Sequence, residues 1–147
     1  MYSDTHFHFE HTTIRDNKEN TVNGAEILTA MAKRKCYFGL DIGTESDDLL
    51  MRQACIDTAI AQMKDTILAD KVRKFIYFSA GIWPSVEEIK NRFNSMKTLK
   101  EQIAKAEADN DNETLNRKII AIGECGLDHH WNPGGVDGRC ESDFDQQ

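Results

Sequence analysis

Short apolar runs alternate along this chain with longer segments of helical periodicity, and this alternation constrains the fold more than any other feature. The strand-like runs cover residues 1–9, 36–42, 75–79 and 119–124. Apolar residues spaced three or four apart follow the first three runs. Such a βαβα order predicts a parallel sheet covered by helices. We therefore expect an α/β fold with about four βα units.

Capping residues locate two helix starts in this pattern. Asn23 is followed three residues later by Glu26, which is typical of a helix N-terminus. Ser85 is followed in the same way by Glu88. The polar stretch over residues 11–23, before the first of these helices, is expected to be a loop.

Two long helices are predicted to bury one apolar face each. The first covers residues 45–69, and its predicted buried residues are Ile56, Ile60, Met63 and Ile67. The second begins after Ser85, and its predicted buried residues are Val86, Ile89, Phe93, Met96, Leu99 and Ile103.

The composition of the 147 residues is that of an ordinary soluble domain. No run approaches the roughly 20 apolar residues of a membrane span, and the N-terminus lacks the features of a signal peptide. We expect a cytoplasmic protein with no membrane contact and four reduced cysteines. A net charge of −7 argues against a broad non-specific nucleic-acid surface but allows a local one.

Candidate metal ligands stand at two strand ends. His6 and His8 are two residues apart on a strand, so both side chains project from the same face. Such a pair is by itself more often ordinary packing or surface chemistry than a metal site. Glu124, at the end of the fourth predicted strand, favours the metal site, because active sites of parallel barrels assemble at this edge.

Three segments together resemble one known family, the TatD-type deoxyribonucleases. They are DTHFH at residues 4–8, AGIWP at 80–84 and AIGECGLD at 121–128. The resemblance implies a (β/α)₈ TIM barrel, which needs about 250 residues and eight strands. Residues 1–147 would then be the N-terminal half of such a barrel, apparently a truncated fragment.

The resemblance also implies a chemistry. His6 and His8 would bind one divalent ion, and Glu124 would be the catalytic carboxylate that bridges this ion to a second. Zn, Mn, Ni and Mg all remain open as the metal. The family reaction is metal-assisted hydrolysis that removes nucleotides from DNA ends, so DNA is the implied substrate.

The chain departs from the family pattern in two respects. Trp83 stands where the family usually has His, and it could stack on a base or simply fill a strand end. Two further histidines and a final aspartate of the family site would come from strands after Gln147. Asp128 and His130, just beyond Glu124, are candidates for orienting a ligand or contacting substrate.

The basic runs at residues 33–35, 71–74 and 117–118 precede strands, so we expect them on the face opposite the site.

Two alternatives to the nuclease stay open. One is a non-catalytic, truncated or degenerate family member with a partial metal site; the other is a different metal-hydrolase barrel. Taken alone, residues 1–147 are expected to show little hydrolase activity and marginal stability, with possible self-association through unpaired strand edges.

Overall fold

A computed structural model of the chain describes residues 1–13, 23–108 and 118–126. In these ranges strands and helices follow one another in the order β1-α1-α2-β2-α3-α4-β3-α5-α6-β4. The strands are β1 (Tyr2–Phe7), β2 (Cys36–Asp41), β3 (Ile76–Ala80) and β4 (Ile119–Ile122). The helices are α1 (Phe9–Thr13), α2 (Gly24–Lys33), α3 (Leu49–Ala61), α4 (Thr66–Phe75), α5 (Val86–Lys90) and α6 (Arg92–Ala108).

Within the described ranges the four strands form one parallel sheet in the order β1-β2-β3-β4. Each strand pairs with its neighbour in sequence, and each connection contains at least one helix. This is the arrangement of consecutive βα units in a barrel wall, and it confirms the predicted α/β fold with a partial-barrel topology. β1 and β4 are the two edge strands of this sheet.

The hydrophobic core lies between the sheet and the helices that cover one of its faces. β3 is its centre, because Ile76, Phe78 and Ala80 alternate along the strand and all three side chains are buried. Helices α2, α3 and α4 supply the other wall. Their fully buried residues include Leu28, Leu49, Ile56 and Val72.

The first long helix is interrupted, so the prediction of one helix over residues 45–69 is wrong. α3 ends at Ala61, and α4 begins after Asp65, whose carboxylate accepts a hydrogen bond of 3.0 Å from the backbone N–H of Leu68. This cap starts a new helix after a break of four residues. Ile67 consequently leaves the predicted buried face and is 69% exposed.

The second long helix is also divided. Ser85 caps α5 as predicted, with its Oγ accepting from the N–H of Glu88. The chain then leaves helical geometry at Asn91 before α6 begins. The buried face of α6 contains Ser95, Leu99 and Ala106, and it does not include positions 93 and 96. Phe93, 81% exposed, and Met96 are therefore on the surface, whereas Ile89 and Leu99 are buried as predicted.

The chain after β1 is helical where the sequence suggested the end of a strand and a loop. Phe9 begins the short helix α1, and its side chain is buried in the core. Asn23 caps α2 as predicted, its side chain accepting from the N–H of Ala25. No helix in the described ranges is long and apolar enough to cross a membrane.

Candidate metal centre

The three predicted ligands converge although they come from opposite edges of the sheet. His6 lies in β1, His8 directly follows β1, and Glu124 follows β4. In a flat sheet, three strand spacings would separate β1 from β4 by roughly 14 Å. The Nε2 atom of His6 is nevertheless only 4.0 Å from Oε2 of Glu124. The positions of the strand ends and the reach of the two side chains together bring these groups far closer than the spacing of the strands alone.

The ligand atoms of the three residues all lie within 4.8 Å of one another. The rings of His6 and His8 are 5.1 Å apart between centroids and meet edge to face at 81°. Zn–N and Zn–O bonds of about 2.0–2.2 Å place neighbouring ligand atoms roughly 3–4 Å apart. A small closure of this cluster reaches that spacing, so two imidazoles and a carboxylate fit a divalent cation.

The ring of His8 has a defined orientation. Its Nδ1 atom lies 3.1 Å from the carbonyl oxygen of Ile42, at the end of β2. Because a carbonyl oxygen only accepts, Nδ1 is the donor in this contact, and in the neutral ring the lone pair of Nε2 is then available to a cation. The ring of His11, in α1, stacks on that of His8 at 5.4 Å. His11 is thus a neighbour of the cluster without belonging to it.

Glu124 is held by its backbone. Its N–H donates to the carbonyl oxygen of Gly43 at 2.7 Å, and the N–H of Gly123 donates to Ala80 at 2.9 Å. The Ser79 hydroxyl donates to the Gly123 carbonyl at 2.6 Å and accepts from the Gly43 N–H at 3.0 Å. Hydrogen bonds from β2 and β3 thus attach the end of β4 to the sheet.

Gly81 permits this close approach of β4. A Cβ atom at position 81 would overlap the backbone of Gly123 and Glu124. Only a residue without a side chain leaves room for the chain that carries Glu124. This gives a physical reason for the glycine in the AGIWP segment.

A buried ionic group lies directly behind the strand ends. The guanidinium of Arg52, in α3, pairs with Asp41 through Nη1 at 2.7 Å and with Asp48 through Nε at 2.9 Å. Its Nη2 atom donates to the carbonyl oxygen of Ser79 at 2.8 Å. Burial raises the pKa of the Asp41 carboxyl, an effect that the Arg52 charge and the Phe9 N–H counteract.

A polar cavity of about 140 Å³ adjoins His8. The residues around it include Glu10, His11, Thr44 and Glu45. The pKa of the Glu45 carboxyl is raised by partial burial first, and then by the negative charges of Asp47, Asp48, Glu88 and Glu10. The cavity therefore combines imidazole and carboxylate groups beside the candidate ligands.

Sequence reasoning did not identify Asp41, Arg52, Ser79 or His11. The one readable signal was the spacing of Asp48 and Arg52, which is that of an i, i+4 ion pair. That spacing normally marks a solvated helix face, and the burial of this pair follows from tertiary packing.

A comparison with protein-family models gives a match. The family model described as TatD related DNase matches residues 3–147. The chain belongs to the TatD-related DNase family. TatD-related DNases are metal-dependent hydrolases on a TIM-barrel scaffold, and they act on nucleic acids. Comparisons with curated proteins and with solved structures give no match.

The remaining predicted residues of this TatD-related chain have different outcomes. Trp83 lies just beyond the end of β3, on the edge of the sheet that carries the cluster, and is partly buried. Its backbone N–H donates to the carbonyl oxygen of Thr44 at 2.8 Å. Asp128 and His130 fall outside the described residues.

Proposed function

We propose that this chain is a metal-dependent phosphodiesterase that acts on DNA ends, with His6, His8 and Glu124 as the ligands of a divalent cation. The observation that supports the proposal most strongly is the convergence of His6 and Glu124 from opposite edges of the sheet to 4.0 Å. Two edge strands have no structural need to bring these two polar groups together. A shared cation provides such a need.

The chain's own groups have separate parts in this proposal. His8 presents Nε2 because its Nδ1 proton is directed to the Ile42 carbonyl. Glu124 would contribute the negative charge that balances a bound cation. A bound divalent cation supplies Lewis-acid polarisation of the phosphodiester.

The donor set narrows the choice of metal. Two imidazole nitrogens and one carboxylate oxygen suit Zn, Mn or Ni better than Mg, which prefers oxygen ligands and retains several waters. We propose that Glu124 bridges to a second cation, as the family pattern implies. In the described part of the chain, His6, His8 and Glu124 are the one cluster with metal-ligand geometry.

DNA as the substrate rests on family membership. The chain carries 18 basic against 25 acidic residues, so long-range attraction of DNA is weak. Binding of a phosphate would therefore depend mainly on the cation and on contacts near it. The cavity beside His8 has room for a group of the substrate next to the cation. Its volume of about 140 Å³ limits that group to a small one.

The proposal is tested by titrating the chain with Zn²⁺ and Mn²⁺ in a calorimeter and by following the cleavage of end-labelled DNA. Glu124→Ala and His6→Ala are expected to abolish both signals. Glu107→Ala, which removes an exposed carboxylate at the end of α6, is the matched control and should change neither.

The outcomes separate the candidate functions. Cation binding that depends on Glu124, with stepwise shortening of DNA, supports the nuclease. Cation binding without cleavage would favour the alternative instead, a non-catalytic, truncated or degenerate family member with a partial metal site. Absence of cation binding, or binding unchanged by Glu124→Ala, would contradict the proposed site.

A further inference from the structure

Arg52 is buried to an unusual degree for an arginine. Only 4% of its side chain is exposed, and its partner Asp41 is completely buried. Replacing such a buried ionic group by apolar residues is often neutral or even stabilising, because charges lose their hydration when they are buried. Stability alone therefore does not explain why this chain places a guanidinium and two carboxylates behind its strand ends.

The first connection of this group leads to His8. The second oxygen of Asp41, Oδ1, accepts a hydrogen bond of 2.8 Å from the N–H of Phe9. On the other side of His8, the carbonyl of Phe7 accepts from the N–H of Ile42 at 2.9 Å. The residues before and after His8 are thus both attached to the end of β2, and so is its ring.

The second connection leads to Glu124. The Nη2 atom of Arg52 donates to the carbonyl oxygen of Ser79 in β3. The hydroxyl of the same serine joins Gly43 to Gly123. Gly43 in turn accepts from the N–H of Glu124. Two hydrogen-bonded steps therefore separate the guanidinium from the backbone on which the carboxylate ligand stands.

We infer that Arg52 is a positioning residue, which together with Asp41 and Ser79 holds His8 and Glu124 at the separation that a divalent cation requires. The inference rests on the proposed function. Arginine suits this role because its planar fork directs Nη1 to β2 and Nη2 to β3 at a fixed distance. A lysine at the same position keeps the charge but is a point donor and cannot maintain both contacts.

The inference is tested with Co²⁺, which binds at zinc-type sites and reports ligand geometry through its visible absorption. Arg52→Lys and Ser79→Ala are compared with the unaltered chain. Each variant is expected to bind Co²⁺ about 10- to 100-fold more weakly, the usual effect of losing a group that orients a metal ligand. The intensity and position of the visible bands should also change, because the ligand geometry relaxes.

Val72→Ala is the control for stability. Val72 is fully buried in α4, away from the strand ends, so its truncation destabilises the fold without touching the proposed chain of contacts. It should leave the Co²⁺ affinity and spectrum unchanged. Ser79→Ala keeps the carbonyl that Arg52 contacts and removes only the hydroxyl that joins Gly43 to Gly123, so it tests the last step of the chain of contacts. If Arg52→Lys does not fold, Asp48→Asn takes its place, because it weakens the ion pair that orients the guanidinium and keeps the shape of the side chain.

Three results would overturn the inference. The first is Co²⁺ binding by Ser79→Ala and a folded Arg52→Lys that equals that of the unaltered chain. The second is an equal loss in Val72→Ala, which would show that general destabilisation is responsible. The third is a Co²⁺ signal that is absent from the unaltered chain or unaffected by Glu124→Ala, which would remove the proposed function itself. Only this third result contradicts the proposed function; the first two contradict the role of Arg52 and leave the metal site in place.

Discussion

The Oδ1 atom of Asp41 accepts a hydrogen bond of 2.8 Å from the backbone N–H of Phe9, the residue that follows His8. A buried carboxylate on β2 thereby determines where β1 ends and α1 begins. His8 lies at this junction, and its position depends on a neighbouring strand as well as on its own.

Replacement of Asp41 should be severely destabilising. Asp41→Ala removes the ion-pair partner of Nη1 in the buried Arg52 and the acceptor of the Phe9 N–H. We expect the free energy of unfolding to fall by about 3–5 kcal/mol. Asp70→Ala, which removes an exposed ion pair with Arg73, is the matched control and should cost about 0.2–1 kcal/mol. Urea unfolding measures both values, and similar losses for the two variants would contradict the prediction.

The two neighbouring histidines should differ in their effect on cation binding. His8→Ala removes one of three candidate ligands and is expected to weaken Zn²⁺ binding by more than about 100-fold, beyond the effect of losing an orienting group. His11→Ala removes only the ring that stacks on His8 and should weaken it far less. Calorimetric titration compares them. Equal losses would place His11 among the ligands.

A methyl group at Gly81 should displace the end of β4. Gly81→Ala forces the new Cβ against the backbone of residues 123–124, so we expect a loss of about 1–3 kcal/mol together with weaker cation binding. Gly39→Ala is a suitable comparison, since the three nearest atoms to its Cβ would be in the side chains of Ile76, Phe7 and Met31, at 3.1–3.5 Å. That variant should retain its cation affinity; a loss as large as that of Gly81→Ala would refute the argument.

Neutralising Glu45 should stabilise the chain in a pH-dependent way. Its pKa is raised by folding, so the ionised carboxylate costs stability at pH values above the folded pKa. Glu45→Gln should therefore unfold at a higher temperature than the unaltered chain at pH 7. The difference should shrink as the pH falls through the folded pKa and disappear below the ordinary value of 4.5.

Salt and a second glutamate provide the controls for this experiment. Added NaCl should reduce the gain from Glu45→Gln at pH 7, because it screens the repulsion from Asp47 and its acidic neighbours. Glu101→Gln should give no gain, since Glu101 lies 3.7 Å from Lys97 in a favourable pair. A stabilisation by Glu45→Gln that is constant from pH 7 to pH 4 would be inconsistent with the proposed cause.

Charge reversal of the basic runs should not affect DNA binding. The run at residues 33–35 ends one residue before β2, and Arg73 and Lys74 lie just before β3. Both positions are at the N-terminal edge of a parallel sheet, whereas His8 and Glu124 lie beyond the C-terminal edge. Fluorescence anisotropy with labelled DNA measures the effect. A strongly salt-dependent loss in these variants would assign a DNA contact to the opposite face.

Much of the fold could be predicted from the sequence because its signals are local. Asn23 and Ser85 announce helix starts through side chains that reach their own backbone, and short apolar runs mark all four strands. The sequence also allowed the prediction that His6 and Glu124 lie at the same edge of the sheet, since parallel strands end at one edge. The distance of 4.0 Å between them could not be predicted, because it depends on how all four strands are arranged and on the conformations of both side chains.

The helix breaks and the buried ionic group could not be predicted with the same reasoning. Asp65 caps α4, but in the sequence it lies between regularly spaced apolar residues, where an aspartate is equally typical of the solvent-exposed side of one continuous helix. Arg52 occupies a position whose burial depends on Asp41 and Ser79, which lie 11 and 27 residues away in sequence. Periodicity describes the faces of one element and contains no information about partners at such separations.

The consecutive order of the strands has a consequence for folding during translation. Each strand pairs with the one made just before it, so the sheet can grow as the chain leaves the ribosome, without waiting for distant partners. His6 and His8 are made first and Glu124 more than a hundred residues later. Until residue 124 has been made, the nascent chain therefore has only two of the three proposed ligands, and the carboxylate joins them when β4 pairs with β3.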